Sequence, residues 1–173
     1  TVSIVREIAT SDPRVRLIEE KSRTGKANAI NLILAECSTE LVALVSADVR
    51  LSQDSVGQML RAISDDRVAV VGGLPVVQNS GNGAVAKSAA IIWRVMRRTM
   101  SELGPSGELP FVMGELYCFK SRVVGRIPSE VVNDDAYVAA LARSKGFKVV
   151  HAAKANFVLK VPSSIPDYVS QRR

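Results

Sequence analysis

The run Val42-Ala43-Leu44-Val45-Ser46-Ala47-Asp48 is apolar almost to its end, where it stops on a single acid. Segments with helical spacing flank it on both sides. It therefore reads as a buried strand of a parallel α/β sheet. A carboxylate just past the carboxyl end of such a strand stands where open α/β sheets bind their ligands. The same position also suits an ordinary turn, because Asp bonds readily to the backbone that follows it. The choice depends on whether other parts of the chain bring a phosphate partner and a proton acceptor to the same place.

Along the chain, Thr1 followed by Val2, Val5 and Ala9 predicts a helix with Thr1 as its cap. Ser11-Asp12-Pro13 ends it, and Val15-Arg16-Leu17-Ile18 reads as a strand. A helix is expected over 24–37, with Ile30, Ile33, Leu34 and Cys37 on one face, then the strand over 41–45. A third helix runs from 52 or 54 to 63. A strand over 68–71 is closed by Gly72-Gly73, and 79–83 is a loop. A long helix over 84–100 carries the stripe Ala89, Ile92, Trp93, Met96 and Met100, expected to face the core. Residues 111–119 are apolar, with Gly114 inside the run and Glu115 as an odd acid within it. A helix over 133–145 stops at Gly146, short strands follow over 147–150 and 156–159, and another helix opens at Asp167. The pattern is α/β alternation followed by a mixed part, with no linker that would divide it.

At 173 residues and 47% apolar, the chain can bury one core without staples. The net charge of +6 favours anionic partners, but aromatic residues make up only 5% and no basic stripe interleaves with them, so nucleic acid is not an expected partner. Cys37 and Cys118 lack metal-ligand spacing and read as small core residues in a reducing compartment. His151 is the only histidine, which argues against a His-rich metal site and a Ser-His-Asp mechanism, and it reads as structural. No apolar run approaches the ~20 residues of a membrane span, so this stretch is expected to be soluble.

Four constellations can carry chemistry. Arg23-Thr24-Gly25-Lys26 places a basic pair at a helix start, with a glycine allowing close backbone approach; that suits phosphate, although the spacing is not that of a Walker loop. It also suits a solvated loop with a Thr cap. Asp48 can hold a divalent ion whose other ligands are diphosphate oxygens and water. In Asn133-Asp134-Asp135 the acids complement a helix dipole, or one of them faces a cleft and takes a proton from an attacking hydroxyl. Gln171-Arg172-Arg173 is a basic end segment.

In this order the segments resemble the catalytic domain of family-2 glycosyltransferases, inverting enzymes of the GT-A fold, many of them membrane-attached. Residues 23–31 are similar to the family's R-x-G-K-x-x-A-x-N segment. Ser46-Ala47-Asp48 stands in the place of D-x-D, Asn133-Asp134-Asp135 in that of T/E-D-D, and Gln171-Arg172 where Q-x-x-R-W begins. The resemblance implies a Rossmann-like mixed, mostly parallel sheet with flanking helices. It places Arg23, Gly25, Lys26, Asn31 and Asp48 on a nucleotide-sugar donor, with Mg2+ or Mn2+ at Asp48. It makes Asp135, beside Asp134, the general base, and it puts Gly114, Glu115, Gln171 and Arg172 on the acceptor side. The implied reaction is hexosyl transfer with inversion to a hydroxyl of a saccharide or lipid-linked acceptor.

Two departures stand out. Ser46 replaces the first acid of D-x-D, and the family's first strand would precede Thr1. Residues 1–173 are therefore expected to be part of a catalytic domain, inactive alone, from a longer protein at the cytoplasmic face of the cell membrane. Two other readings share parts of this pattern: a sugar-nucleotide nucleotidyltransferase, and a non-catalytic nucleotide- or partner-binding module.

Overall fold

The computed structural model describes residues 1–20, 22, 24–78, 83–162 and 164–170, without the side chains of 168 and 170. Helices α1 (Val2–Ser11) and α2 (Lys26–Glu36) precede strands β1 (Leu41–Val45) and β2 (Arg50–Leu51). Then come α3 (Ser55–Ile63), β3 (Val68–Val77), α4 (Ala84–Leu103), β4 (Leu116–Lys120), α5 (Ser121–Val124), α6 (Asp134–Ser144), β5 (Lys148–Leu159) and α7 (Ile165–Ser170).

The five strands form one mixed sheet in the order β1-β4-β3-β5-β2. Strands β1, β3 and β5 share one direction, while β4 and β2 run against them. Because β4 is inserted between β1 and β3, β3 with β5 is the one parallel pairing among the described residues.

Alternation along β4 shows how the sequence builds two cores. Tyr117 and Phe119 enter the layer formed with α2, α5 and α6, against Ala27, Ile30, Val42, Val138 and Ala142. Leu116 and Cys118 enter the opposite layer, against Met59 and Ile63 of α3 and Ala86 and Ala89 of α4. Phe119 and Phe157 are fully buried, and burial of a side chain of that size stabilises the fold by about 1.5–3 kcal/mol. Truncating Phe119 to alanine would cost about 3–5 kcal/mol, because the cavity adds to the lost transfer term.

Several expectations are corrected in detail. Residues 15–18 have no regular structure, since no described strand pairs with their backbone. Strand β3 does not stop at Gly72-Gly73 but continues to Val77. The two short strands expected at the end of the chain are one strand, β5, in which a register shift opposite Gly72 and Leu74 absorbs residues 152–155. Helix α4 rests on Ala86, Ala89, Ala90 and Met100, and Ile92 is turned half outward, 51% exposed. Small alanines let the helix lie close to the sheet, so the larger side chains fall to the flanks.

Both cysteines are free, and burial pushes the Cys118 thiol up to about 12, as befits a core residue. His151 is buried, its ring T-shaped against that of Phe111, and neither ring nitrogen has a hydrogen-bond partner among the described residues. Among the described residues, no helix is long and apolar enough to cross a membrane.

Candidate active site

Gly25 is the N-cap of α2 with φ 98°, a backbone conformation that costs other residues far more than glycine. This turn sets Lys26 in the first position of the helix. The Lys26 ammonium lies 3.0 Å from Asp134 Oδ1 and 3.4 Å from the carbonyl oxygen of Gly114. Three segments far apart in sequence therefore meet at one side chain: the start of α2, the stretch before β4, and the start of α6.

The two acids that open α6 differ sharply. Asp134 is 3% exposed and both its oxygens are engaged, Oδ1 by Lys26 and Oδ2 by the Tyr117 hydroxyl at 2.7 Å. Asp135 is half-buried; its Oδ1 accepts the Ala136 N–H at 2.8 Å, while no hydrogen bond is recorded at Oδ2 among the described residues. Burial raises the Asp135 pKa above the ordinary Asp value, and the neighbouring Asp134 charge adds to the rise; the Ala136 N–H and the Lys26 charge oppose it.

Gly114 explains how these groups come so close. A Cβ at this position would stand 3.1 Å from both Asp135 Oδ2 and Lys26 Nζ, tighter than ordinary contacts. Next to it, Glu115 is half-buried and its pKa is raised, first by burial and then by the charge of Asp135. The Asp48 charge reaches Glu115 as well, so carboxylates from three segments share one electrostatic neighbourhood. The Ser46 hydroxyl donates to the Gly114 carbonyl at 3.2 Å, and the Ser46 N–H donates to the Glu115 carbonyl at 3.0 Å. Those two bonds hold the mouth of β1 against the Gly114 segment.

Asp48, just beyond β1, is exposed and lines a polar cavity of about 240 Å³ with Arg50, Gln78 and Lys160. As a seat for a divalent cation, the donor set is lean. Asp48 offers one hard carboxylate, and the Ser46 hydroxyl is already used on Gly114. Among the described residues, no group of three His, Cys, Asp or Glu side chains is placed to hold an ion. Such a site fits Mg2+ or Mn2+ when most ligands are substrate oxygens and water.

Of the residues expected at the site, the structure brings Lys26, Gly114, Glu115, Asp134 and Asp135 together, with Gly25 capping the helix that Lys26 opens; Asp48 lines a separate cavity, and its charge reaches the cluster at Glu115. Asn31 is used differently: its amide clasps the backbone of Ile127, donating to the carbonyl at 2.7 Å and accepting the N–H at 2.9 Å. Arg23, Gln171 and Arg172 lie outside the described residues. Tyr117, Arg50 and Lys160 were missed. Tyr117 carried one usable signal, a hydroxyl within an apolar run, which must find a partner once buried.

The family profile described as glycosyl transferase family 2 matches residues 1–126. No curated protein matches the sequence. Among solved structures, a mannosyltransferase from Pyrobaculum calidifontis in complex with GDP-Man and Mn2+ is similar at 24% identity and a TM-score of 0.77. That likeness covers 99% of this chain and 47% of the mannosyltransferase, so the chain spans about half the length of that relative. Glucosyl-3-phosphoglycerate synthase from Mycobacterium tuberculosis, in complex with phosphoglyceric acid, is similar at 15% identity and a TM-score of 0.49, covering 98% of this chain and 60% of the synthase.

Proposed function

The chain belongs to glycosyl transferase family 2 and has the GT-A fold, and from that premise we propose that it moves a hexosyl group from a nucleotide-sugar donor to an acceptor hydroxyl with inversion. The observation that carries this reading is the contrast between Asp134 and Asp135. One is buried with both oxygens bound, and the other presents a free oxygen whose proton affinity is raised.

A single displacement with inversion needs one base on the acceptor side. Asp135 Oδ2 takes the proton of the attacking hydroxyl while the acceptor oxygen bonds to the anomeric carbon. The bond from that carbon to the diphosphate breaks, and the electron pair leaves with the nucleoside diphosphate. A raised pKa suits the task, because it makes the ionised carboxylate a better proton acceptor. This differs from glycoside hydrolysis, in which paired carboxylates flank the bond and water enters.

Lys26 supplies positive charge where the leaving diphosphate develops negative charge. Asp48 would hold a Mg2+ or Mn2+ ion, which when bound supplies further charge stabilisation to the leaving group. Gly114 and Glu115 line the acceptor side, and the acceptor is a saccharide or a lipid-linked hydroxyl compound.

The test is Asp135→Asn in the full-length enzyme. Transfer should fall by roughly 10²–10⁴-fold, the usual contribution of a positioned base. Binding of the nucleotide-sugar, read by calorimetry with Mn2+ present, should stay nearly intact. Activity that survives within a few-fold would remove Asp135 from the role of base.

A further inference from the structure

Tyr117 is fully buried on β4, stacked on Phe119 with ring centroids 5.9 Å apart, yet its hydroxyl reaches Asp134 Oδ2 at 2.7 Å. Asp134 in turn holds the Lys26 ammonium at 3.0 Å. A line of polar contacts thus runs from the core to a lysine whose side chain is 50% exposed. We propose that Tyr117 and Asp134 are positioning residues that set the Lys26 ammonium against the diphosphate of the donor. This rests on the glycosyltransfer reading.

The argument begins with the hydrogen-bond inventory of lysine. An ammonium has three N–H donors and no acceptor. In this structure one is directed at Asp134 and a second, longer contact at the carbonyl of Gly114. The third remains for a ligand oxygen on the exposed side. A lysine stem is flexible, and fixing it only when substrate arrives would reduce the binding free energy by its lost rotamer freedom. Fixing it beforehand removes that cost.

The fixing works only if the Asp134 carboxylate cannot turn. A carboxylate held at one oxygen can rotate about its last torsion, and the lysine would follow. With Oδ1 on Lys26 and Oδ2 on Tyr117, the plane is pinned. Tyr117 is itself held by the sheet and by the Phe119 ring, so the reference point is the rigid core. A buried carboxylate is otherwise an expensive way to fill space, since an apolar side chain of the same size would need no partner. The charge is directed at the lysine. The same charge also bears on the base, raising the pKa of Asp135.

Calorimetry of the full-length enzyme with Mn2+, using GDP and UDP as separate probes, tests the inference. Tyr117→Phe should weaken diphosphate binding about tenfold, the size of one hydrogen bond to a charged group. Lys26→Met should weaken it at least as much, and adding Tyr117→Phe to Lys26→Met should weaken it no further. If Tyr117 were merely structural, its loss would weaken binding equally in both backgrounds, and that result would overturn the proposal. Unchanged affinity in Tyr117→Phe would overturn it too.

Should Tyr117→Phe fold poorly, Asp134→Asn gives the same comparison while keeping an acceptor for the phenol. Asp134→Asn should also move the acid limb of kcat/KM to lower pH, because Asp135 loses a like charge; a limb that does not move counts against the proposal. A wild-type enzyme that binds neither probe would defeat the glycosyltransfer reading and this inference with it. Binding by the wild type with no effect of the Tyr117 and Asp134 changes would defeat this inference alone.

Discussion

The Ser46 hydroxyl donates to the carbonyl oxygen of Gly114 at 3.2 Å, tying the mouth of β1 to the segment that carries Glu115. This bond gives Ser46 a use that an acid could not take over. A carboxylate at the same place would have no proton to donate and would face the carbonyl with like partial charge. Ser46→Ala should lower stability by about 0.5–1.5 kcal/mol, the net worth of one such bond. Ser46→Asp, which would restore the D-x-D pattern, should cost more than Ser46→Ala. Urea unfolding of the two variants checks the order, and a more stable Ser46→Asp would refute it.

Gly114→Ala is expected to act on chemistry rather than on folding. The new methyl group would stand 3.1 Å from both Asp135 Oδ2 and Lys26 Nζ, so both groups must shift by a few tenths of an ångström. Small misplacements at a reacting centre are costly, and transfer should fall about tenfold or more. Stability should change by no more than about 1 kcal/mol, because flexible side-chain ends can give way. Wild-type rates in Gly114→Ala would show that the crowding is without consequence.

The pH profile carries a signed expectation. In its proposed role as base, Asp135 must be ionised to accept a proton, so kcat/KM should fall as pH drops through its folded pKa. Burial raises that pKa, so the acid limb lies above the ordinary Asp value. The Asp135 charge also raises the pKa of Glu115, so the two acids titrate as a coupled pair. Stability has the opposite sign. A carboxyl that holds its proton more tightly when folded favours the fold at low pH, and this contribution is lost as pH rises through the folded value.

His151 makes the opposite contribution in acid. Burial alone lowers its pKa to about 4, while in the unfolded chain it titrates near the ordinary histidine value of 6.5. Between those values the unfolded state binds the extra proton, so stability falls as pH is lowered from about 6.5 to about 4 and changes no further below that. The loss is about 3 kcal/mol when complete. His151→Phe should abolish this part of the pH dependence, as read by thermal unfolding from pH 4 to pH 7. A slope that persists in the variant would assign the effect to other groups.

Much of the architecture was legible in one dimension. Helical spacing located α2, α3, α4 and α6, and the apolar runs at 41–45 and 68–71 located β1 and the first part of β3. These patterns are readable because each element buries one face, and the burial repeats with the element's own period. Where the expected elements failed, the cause lay outside the segment. Residues 15–18 have strand-like side chains but no strand beside them among the described residues, and β5 spans its bulge because β3 lies alongside to carry the register.

The sequence by itself determined the residue types and order of the site: Gly25-Lys26, Asp48, Gly114-Glu115 and Asp134-Asp135, with a serine where a second acid would stand. The residues alone did not divide the work between two adjacent acids, and only the family resemblance pointed to Asp135, because neighbours in sequence differ only in the direction their side chains take. The tertiary structure gave the two acids different surroundings. It turned Asp134 inward to Tyr117 and Lys26, left Asp135 half-open beside Gly114, and committed Asn31 to the backbone of Ile127. Burial and hydrogen-bond partners arise only when distant segments meet, and they determine which carboxylate keeps a free oxygen.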